Sequence, residues 1–389
     1  MKRFETIVLG FGAMGSAIVY QLAKRGNRVL GIDRYAPPHA HGSTHGETRI
    51  TRLGIGEGAQ YSPLAMRSHQ IWRDLERETG RTLLTTNGGL VLSSKAKTSR
   101  SHSDHFFANT VAAAEKYAIP HEVWDATQIR RRFPQFRVAD DESGYFEPSA
   151  GFVRPEECMR VQQALAEQHG AILHRDERAL AFDANDSGVT VTTERDTYSA
   201  DRLIVAAGPW VKEWVGPGIG KHLTIYRQVL CWFDIDSSVD SFLPENFPVF
   251  IWELQGKKQG IYGFPAIDGA RGGVKIATEQ YEAETSPGAV DRSVSDAEIR
   301  ATYEEYVAPY IPGLTGNCVK AAVCLYTVTP DFGFVIDTLP NAQRVIVASP
   351  CSGHGFKHSA AIGEALAELV VDDASRLDLR PFALRRFDS

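Results

Sequence analysis

The chain has 389 residues, enough for two or three domains, and its 43% hydrophobic and 23% charged content is that of an ordinary soluble globular fold. A formal net charge of −6 gives no electrostatic reason to bind nucleic acid or an anionic membrane. Five scattered cysteines with no Cys-x-x-Cys pair make neither a disulfide framework nor a zinc site, and they fit a reducing compartment. At the start, Met1-Lys2-Arg3 before apolar residues imitates a secretory signal, but Glu5 interrupts it and the apolar stretch belongs to the first folding unit. No run reaches the ~18 apolar residues of a membrane span, so the cytoplasm is the expected location.

That first unit is Thr6-Ile-Val-Leu-Gly-Phe-Gly-Ala-Met-Gly15, an apolar strand, a glycine turn and then a helix-forming run from Ala17 to Lys24. Gly10 permits the tight turn, Gly12 removes a side chain where phosphate oxygens must approach, and Gly15 lets helix and strand pack. The helix start offers free N–H groups to the anion. A second strand ends at Asp33, roughly 20 residues on, where a ribose hydroxyl is expected. The motif indicates a dinucleotide and leaves FAD or NAD open.

Further along, residues 63–80, 103–117, 126–132 and 155–170 read as helices, the last with Pro155 and two glutamates in its first turn. Residues 88–93 read as a strand. A β series follows at 171–174, 178–183, 189–193 and 197–199, and a buried-type strand at 202–208. Residues 224–236, 248–253, 260–264 and 273–278 suggest an antiparallel sheet, with a helix at 295–307. A strand at 344–348 and a helix at 358–371 return to the first unit. The expected fold is therefore α/β, with a discontinuous nucleotide domain (1–85, 148–216 and 324–389) and an inserted antiparallel α+β substrate domain (86–147 and 217–323).

Three segments carry chemistry: His39 to Arg52; Ala322-Val-Cys-Leu-Tyr326 with Asp331 to Asp337; and Ser352-Gly-His-Gly-Phe-Lys-His358. Together with Pro37-Pro-His, Gly56-Glu-Gly, Tyr262-Gly-Phe-Pro and the closing Asp378 to Phe387, the chain resembles the monomeric sarcosine oxidase and N-methyltryptophan oxidase family over essentially its whole length. These are flavoenzymes of the D-amino-acid-oxidase structural group. The resemblance implies a Rossmann-like FAD-binding domain and FAD as cofactor, joined covalently through the sulfur of Cys324. It implies that Arg52 and Lys357 hold the substrate carboxylate, a task suited to a guanidinium fork. It places Arg49 and His45 near the flavin ring and Lys275 over its other face, where a fixed ammonium favours reduction of dioxygen. Tyr262 and Tyr326 become pocket tyrosines, and Gly353 and Gly355 let the backbone approach the ring. If helical, the segment would put Arg49 and Arg52 on one face.

No metal is expected: His39, His41, His45 and Glu47 match no usual helical ligand spacing. There are departures near the substrate. Glu279 replaces a family histidine, Ile251 replaces a methionine, and Leu53-Gly54 replaces a bulkier, more polar pair. An acid at 279 would attract a cationic group on the substrate or repel a second carboxylate. The expected function is an FAD-dependent, monomeric oxidase of a secondary amine or N-alkyl amino acid, using dioxygen. The alternatives are a flavin dehydrogenase that passes electrons to a quinone or carrier, and a non-catalytic dinucleotide sensor.

Overall fold

The computed structural model describes residues 2–99 and 102–387. Its centre is a sheet of eight strands around Lys2–Leu9, which pairs in parallel with Val29–Ile32 on one side and Thr197–Val205 on the other. Ile172–His174 extends the sheet in parallel beyond Val29–Ile32. Thr197–Val205 is one continuous strand where the sequence suggests two. Its first half pairs antiparallel with Gly188–Thr193 and its second half parallel with Ala342–Ser349, so the polar break at Asp201–Arg202 marks a change of partner rather than an end. Helices Ala13–Lys24, Pro155–Gln168 and Ser359–Val371 pack together against this sheet. Gly363 makes that packing possible: a Cβ there would stand 2.5 Å from the Ala17 methyl.

A second sheet of eight strands runs Leu314–Val328, Thr224–Ile235, Val274–Thr278, Ile261–Phe264, Val249–Trp252, Gly89–Ser94, Glu142–Glu147 and Glu122–Asp125. All its pairings are antiparallel except Val249–Trp252 with Gly89–Ser94. One face carries an aromatic core including Trp252, Phe242, Phe247 and Phe250, each almost fully buried. Such a side chain contributes about 2–3 kcal/mol by leaving water. The opposite face looks toward the first sheet and carries Lys275, Tyr262 and Tyr326.

Leu314–Val328 is longer than the motif around Cys324 suggests. Its first part is a half-exposed edge with polar Asn317 and Lys320, and its last six residues run into the interior. The helix expected over 295–307 is α-helical at Asp296–Thr302, begins with a Ser295–Glu298 capping box, and ends in the π-helical turn Tyr303–Val307. Among the described residues, no helix is long and apolar enough to cross a membrane.

Candidate active site

Two adjoining cavities lie at the meeting of the two sheets. The larger, about 1320 Å³, follows the glycine turn and is lined by Gly10, Gly12, Asp33, Ser43, Gly353 and Gly355, among others. Gly10 has φ +81° and a Cβ there would sit 2.7 Å from the Ala206 carbonyl oxygen, while a Cβ on Gly15 would strike the Gly10 oxygen at 1.9 Å. Gly12 is different: nothing in the protein approaches its missing side chain closer than 3.8 Å, which leaves a cradle for a ligand. Asp33 accepts the Phe11 and Tyr35 N–H groups, one on each carboxylate oxygen, both at 2.9 Å. Burial still pushes its pKa up to about 6, against the pull of those two N–H groups. Its remaining lone pairs suit hydroxyl donors. The buried Ser43 and Ser349 hydroxyls on the same wall have no protein partner. This combination fits a dinucleotide, which brings phosphate oxygens to the cradle and hydroxyls to the acid.

The second cavity, about 690 Å³, shares Arg49, Tyr326, Gly353 and Phe356 with the first. Arg52, Ile251, Tyr262, Lys275, Glu279 and Lys357 also line it. Arg49 lies on the short strand Arg49–Thr51, paired with Gly151–Val153, and Arg52 follows it. The segment is thus not helical, because sheet pairing across a hundred residues overrides the local spacing. The Arg52 guanidinium is buried, bonds the Gly54 carbonyl and pairs with Glu57 at 2.7 Å. It also lies over the Phe106 ring, and its Nε has no partner. Lys357 Nζ donates to the His354 carbonyl at 2.7 Å and stands 3.8 Å from Glu57. Burial lowers the Lys357 pKa to about 8, with Glu57 resisting the fall. For Glu57, burial acts upward, but Arg52 and Lys357 outweigh it and hold the carboxyl well below its usual range.

Lys275 is clamped by the loop opposite. Its Nζ donates to the Gly46 carbonyl at 2.8 Å and to the Thr48 carbonyl and hydroxyl at 2.9 Å, and it lies 4.2 Å from the Phe264 ring centre. Burial, then repulsion from Arg49, pushes its pKa well below that of an ordinary lysine. The loop is itself fixed from behind, since Glu156 accepts the Gly46 and Glu47 N–H groups. Tyr262 and Tyr326 share a hydrogen bond of 3.1 Å between hydroxyls.

Cys324 and His45 stand back from the cavity walls, whereas His39 lines the larger cavity. Cys324 is buried behind Ser43 and Arg49: its Sγ donates to the Ser43 carbonyl at 3.4 Å and accepts from Arg49 Nη2 at 3.6 Å. His45 is buried, its Nε2 lacks a partner, and burial followed by the Arg49 charge lowers its pKa to about 4. His39 accepts the His41 N–H at 3.1 Å and His41 stacks on Tyr35, so these rings pack as an aromatic group. Among the described residues, no group of three or more His, Cys, Asp or Glu side chains could hold a metal.

The sequence did not single out Glu57, His102, Phe106 or His354, all of which line the second cavity. Glu57 stood in the Gly56-Glu-Gly motif and His354 within the Ser352–His358 segment, so a signal was present for both. Nothing local marked His102. Cys351 also lines the nucleotide cavity.

A family model described as FAD dependent oxidoreductase matches residues 5–369. The chain belongs to the FAD-dependent oxidoreductase family. Within it, the chain is 38% identical over 384 residues to a monomeric sarcosine oxidase of Streptomyces avermitilis, covering 98% of this chain and 97% of that one. It is 34% identical over 386 residues to an N-methyl-L-tryptophan oxidase of Yersinia pestis, covering 99% of each. Among solved structures, the fold is similar to NikD, an amino acid oxidase essential for nikkomycin biosynthesis, with a TM-score of 0.84, 23% identity and coverage of 98% and 97%. It is likewise similar to an L-proline dehydrogenase from P. horikoshii, with a TM-score of 0.81, 20% identity and coverage of 100% and 98%. Membership of this family gives the dinucleotide as FAD and the chain as an oxidoreductase.

Proposed function

We propose that the protein oxidises a secondary amine or N-alkyl amino acid in the smaller cavity, as a cytoplasmic monomer, and that dioxygen is the final electron acceptor. The observation that carries this reading is a buried pair of cations, Arg52 and Lys357, in a chamber that shares a wall with the FAD cavity. Arg52 and Lys357 bind the substrate carboxylate, and Tyr262, Tyr326 and Ile251 close around the amine and exclude water. FAD, when bound, accepts two electrons from the amine. The amine loses two electrons and two protons to become an imine, water hydrolyses the imine to an aldehyde or keto acid plus a smaller amine, and dioxygen takes the two electrons and two protons to leave as hydrogen peroxide. Lys275 supplies fixed positive charge where dioxygen gains negative charge, which is favourable only while its ammonium is protonated. Gly10, Gly12 and Gly15 shape the phosphate cradle, Asp33 takes the ribose, and Gly353 and Gly355 clear the approach to the ring.

Cys324 is the residue we assign to a covalent link. The Arg49 guanidinium stands 3.6 Å from its sulfur, beside the flavin cavity. The purified protein should keep its yellow colour through acid precipitation, and Cys324→Ser should release it. Colour released from the native protein rules out the link. Retention by Cys324→Ser and loss by Cys351→Ser moves it to the other thiol. For the reaction, N-methyl amino acids, cyclic imino acids and glycated amino acids are screened for peroxide in air. Rapid flavin bleaching with negligible peroxide would establish a dehydrogenase instead, and no bleaching with any of them would end the reading.

A further inference from the structure

The chamber holds two carboxylates in opposite electrostatic circumstances. Glu57 lies between Arg52 and Lys357 and is held well below its usual pKa, so its charge is fully matched. Glu279, just after the strand Val274–Thr278, pairs instead with His102 at 3.2 Å. Burial raises its pKa and Glu57 raises it further, while His102, the Tyr281 hydroxyl and Lys357 only partly offset them. A carboxyl raised in this way gains from a further positive group brought close to it.

His102 sits between the two acids. Its Nδ1 stands 3.5 Å from Glu57, and its Nε2 stands 3.2 Å from Glu279 and 2.8 Å from the Tyr281 hydroxyl. The ring is almost fully buried, and a Cβ on Gly353 would stand 3.0 Å from its Nε2, so it cannot easily turn away. Arg52 and Lys357 already face Glu57, and His102 is shared between that acid and Glu279. The Glu279 side chain is the more open of the two acids, 21% exposed against 4% for Glu57, and it lines the cavity. A carboxylate has about four lone-pair positions, and His102 with Tyr281 occupies only some of them. The chamber therefore offers a guest both the Arg52–Lys357 clamp and a partly open carboxylate.

We propose that Glu279, positioned by His102, is a second recognition point that binds a positively charged group on the substrate, so that the preferred substrate is an N-alkyl amino acid carrying an additional basic nitrogen. This rests on the oxidase reading for the role of the clamp. A neutral side chain would gain nothing from Glu279, and a second carboxylate would be repelled by it.

Binding of ligands that cannot be oxidised at an N-alkyl amine tests the point without turnover. The holoenzyme is titrated calorimetrically at pH 7 with 6-aminohexanoate, hexanoate and adipate. We expect 6-aminohexanoate to bind on the order of tenfold more tightly than hexanoate, with adipate weakest. Glu279→Gln should bring the first two within about twofold of each other. Equal or tighter binding of hexanoate by the native protein overturns the proposal, as does full retention of the preference in Glu279→Gln. Should Glu279→Gln fail to fold, Glu279→His is titrated in the same way. A ratio near one then supports the proposal, and full retention of the native ratio overturns it. The two readings fail separately: a clear preference with no flavin reduction by any N-alkyl amino acid removes the oxidase and leaves this site. Reduction by N-methyl amino acids with no preference does the reverse.

Discussion

The FAD cavity and the substrate chamber share four wall residues and are made of different materials. The cradle of the first is backbone: glycines that leave space, N–H groups at a helix start, and one acid held by two main-chain bonds. The second is a set of charged side chains contributed by distant segments. A cavity of the first kind recognises a constant ligand and tolerates little change in shape. A cavity of the second kind can change its ligand through a single charge, which is where Glu279 and Ile251 depart from the sarcosine and N-methyltryptophan oxidase pattern.

Substitutions should separate the two. The largest effect is expected from Lys275→Met, which removes the fixed cation and should slow reoxidation by dioxygen about 100- to 1,000-fold while anaerobic reduction by substrate changes far less. Stopped-flow traces of the two half-reactions measure this, and equal losses in both would show that Lys275 only holds the loop at Gly46 and Thr48. Next comes Arg52→Ala, which leaves the Glu57 charge without its nearest partner. It should lower kcat/KM about 100-fold, mostly through KM, with FAD content and absorption spectrum intact. A normal KM would remove Arg52 from the clamp. In the Cys324→Ser background, where no covalent link holds the flavin, Gly12→Val should do the opposite, weakening FAD binding roughly 10- to 100-fold with little change in the melting of the FAD-free protein, because the added atoms enter ligand space. A comparable drop in that melting would show that the space belongs to packing.

The smallest expected effect is a pH dependence. Burial brings Lys357 down to about 8, so its charge is present below that pH and is lost as pH rises through it. The apparent KM for a carboxylate substrate should therefore climb about tenfold between pH 7 and pH 9. Lys357→Met should flatten that rise, and an unchanged slope in the variant would assign it to another group.

The cradle was legible in the sequence because its signals sit within one βαβ unit: strand, three glycines, helix and Asp33. The helix Ser62–Thr79 was equally plain, with Pro63 at its start and Gly80 closing it at φ +67°. The chamber was read mainly through resemblance, and its balance of charge was not. His102 has no local signature, and its importance arises only when it meets Glu279 and Glu57, neither of them its neighbour in sequence. Glu122–Asp125 and Glu142–Glu147 were missed as strands because they are short and rich in acid, and pairing with Gly89–Ser94 organises them. Arg49 was read with helical spacing because its sheet partner, Val153, lies far along the chain.

The bond between Arg52 and Glu57 has a consequence for life among inorganic salts. A bare guanidinium in a pocket would attract chloride or phosphate from its surroundings. Here the attraction is already spent internally, and a small anion gains little by exchanging one counter-ion for another. Only a guest whose remaining atoms fill the room beyond can recover the loss of that internal pair, so the empty enzyme is guarded against commonplace anions before any electron moves.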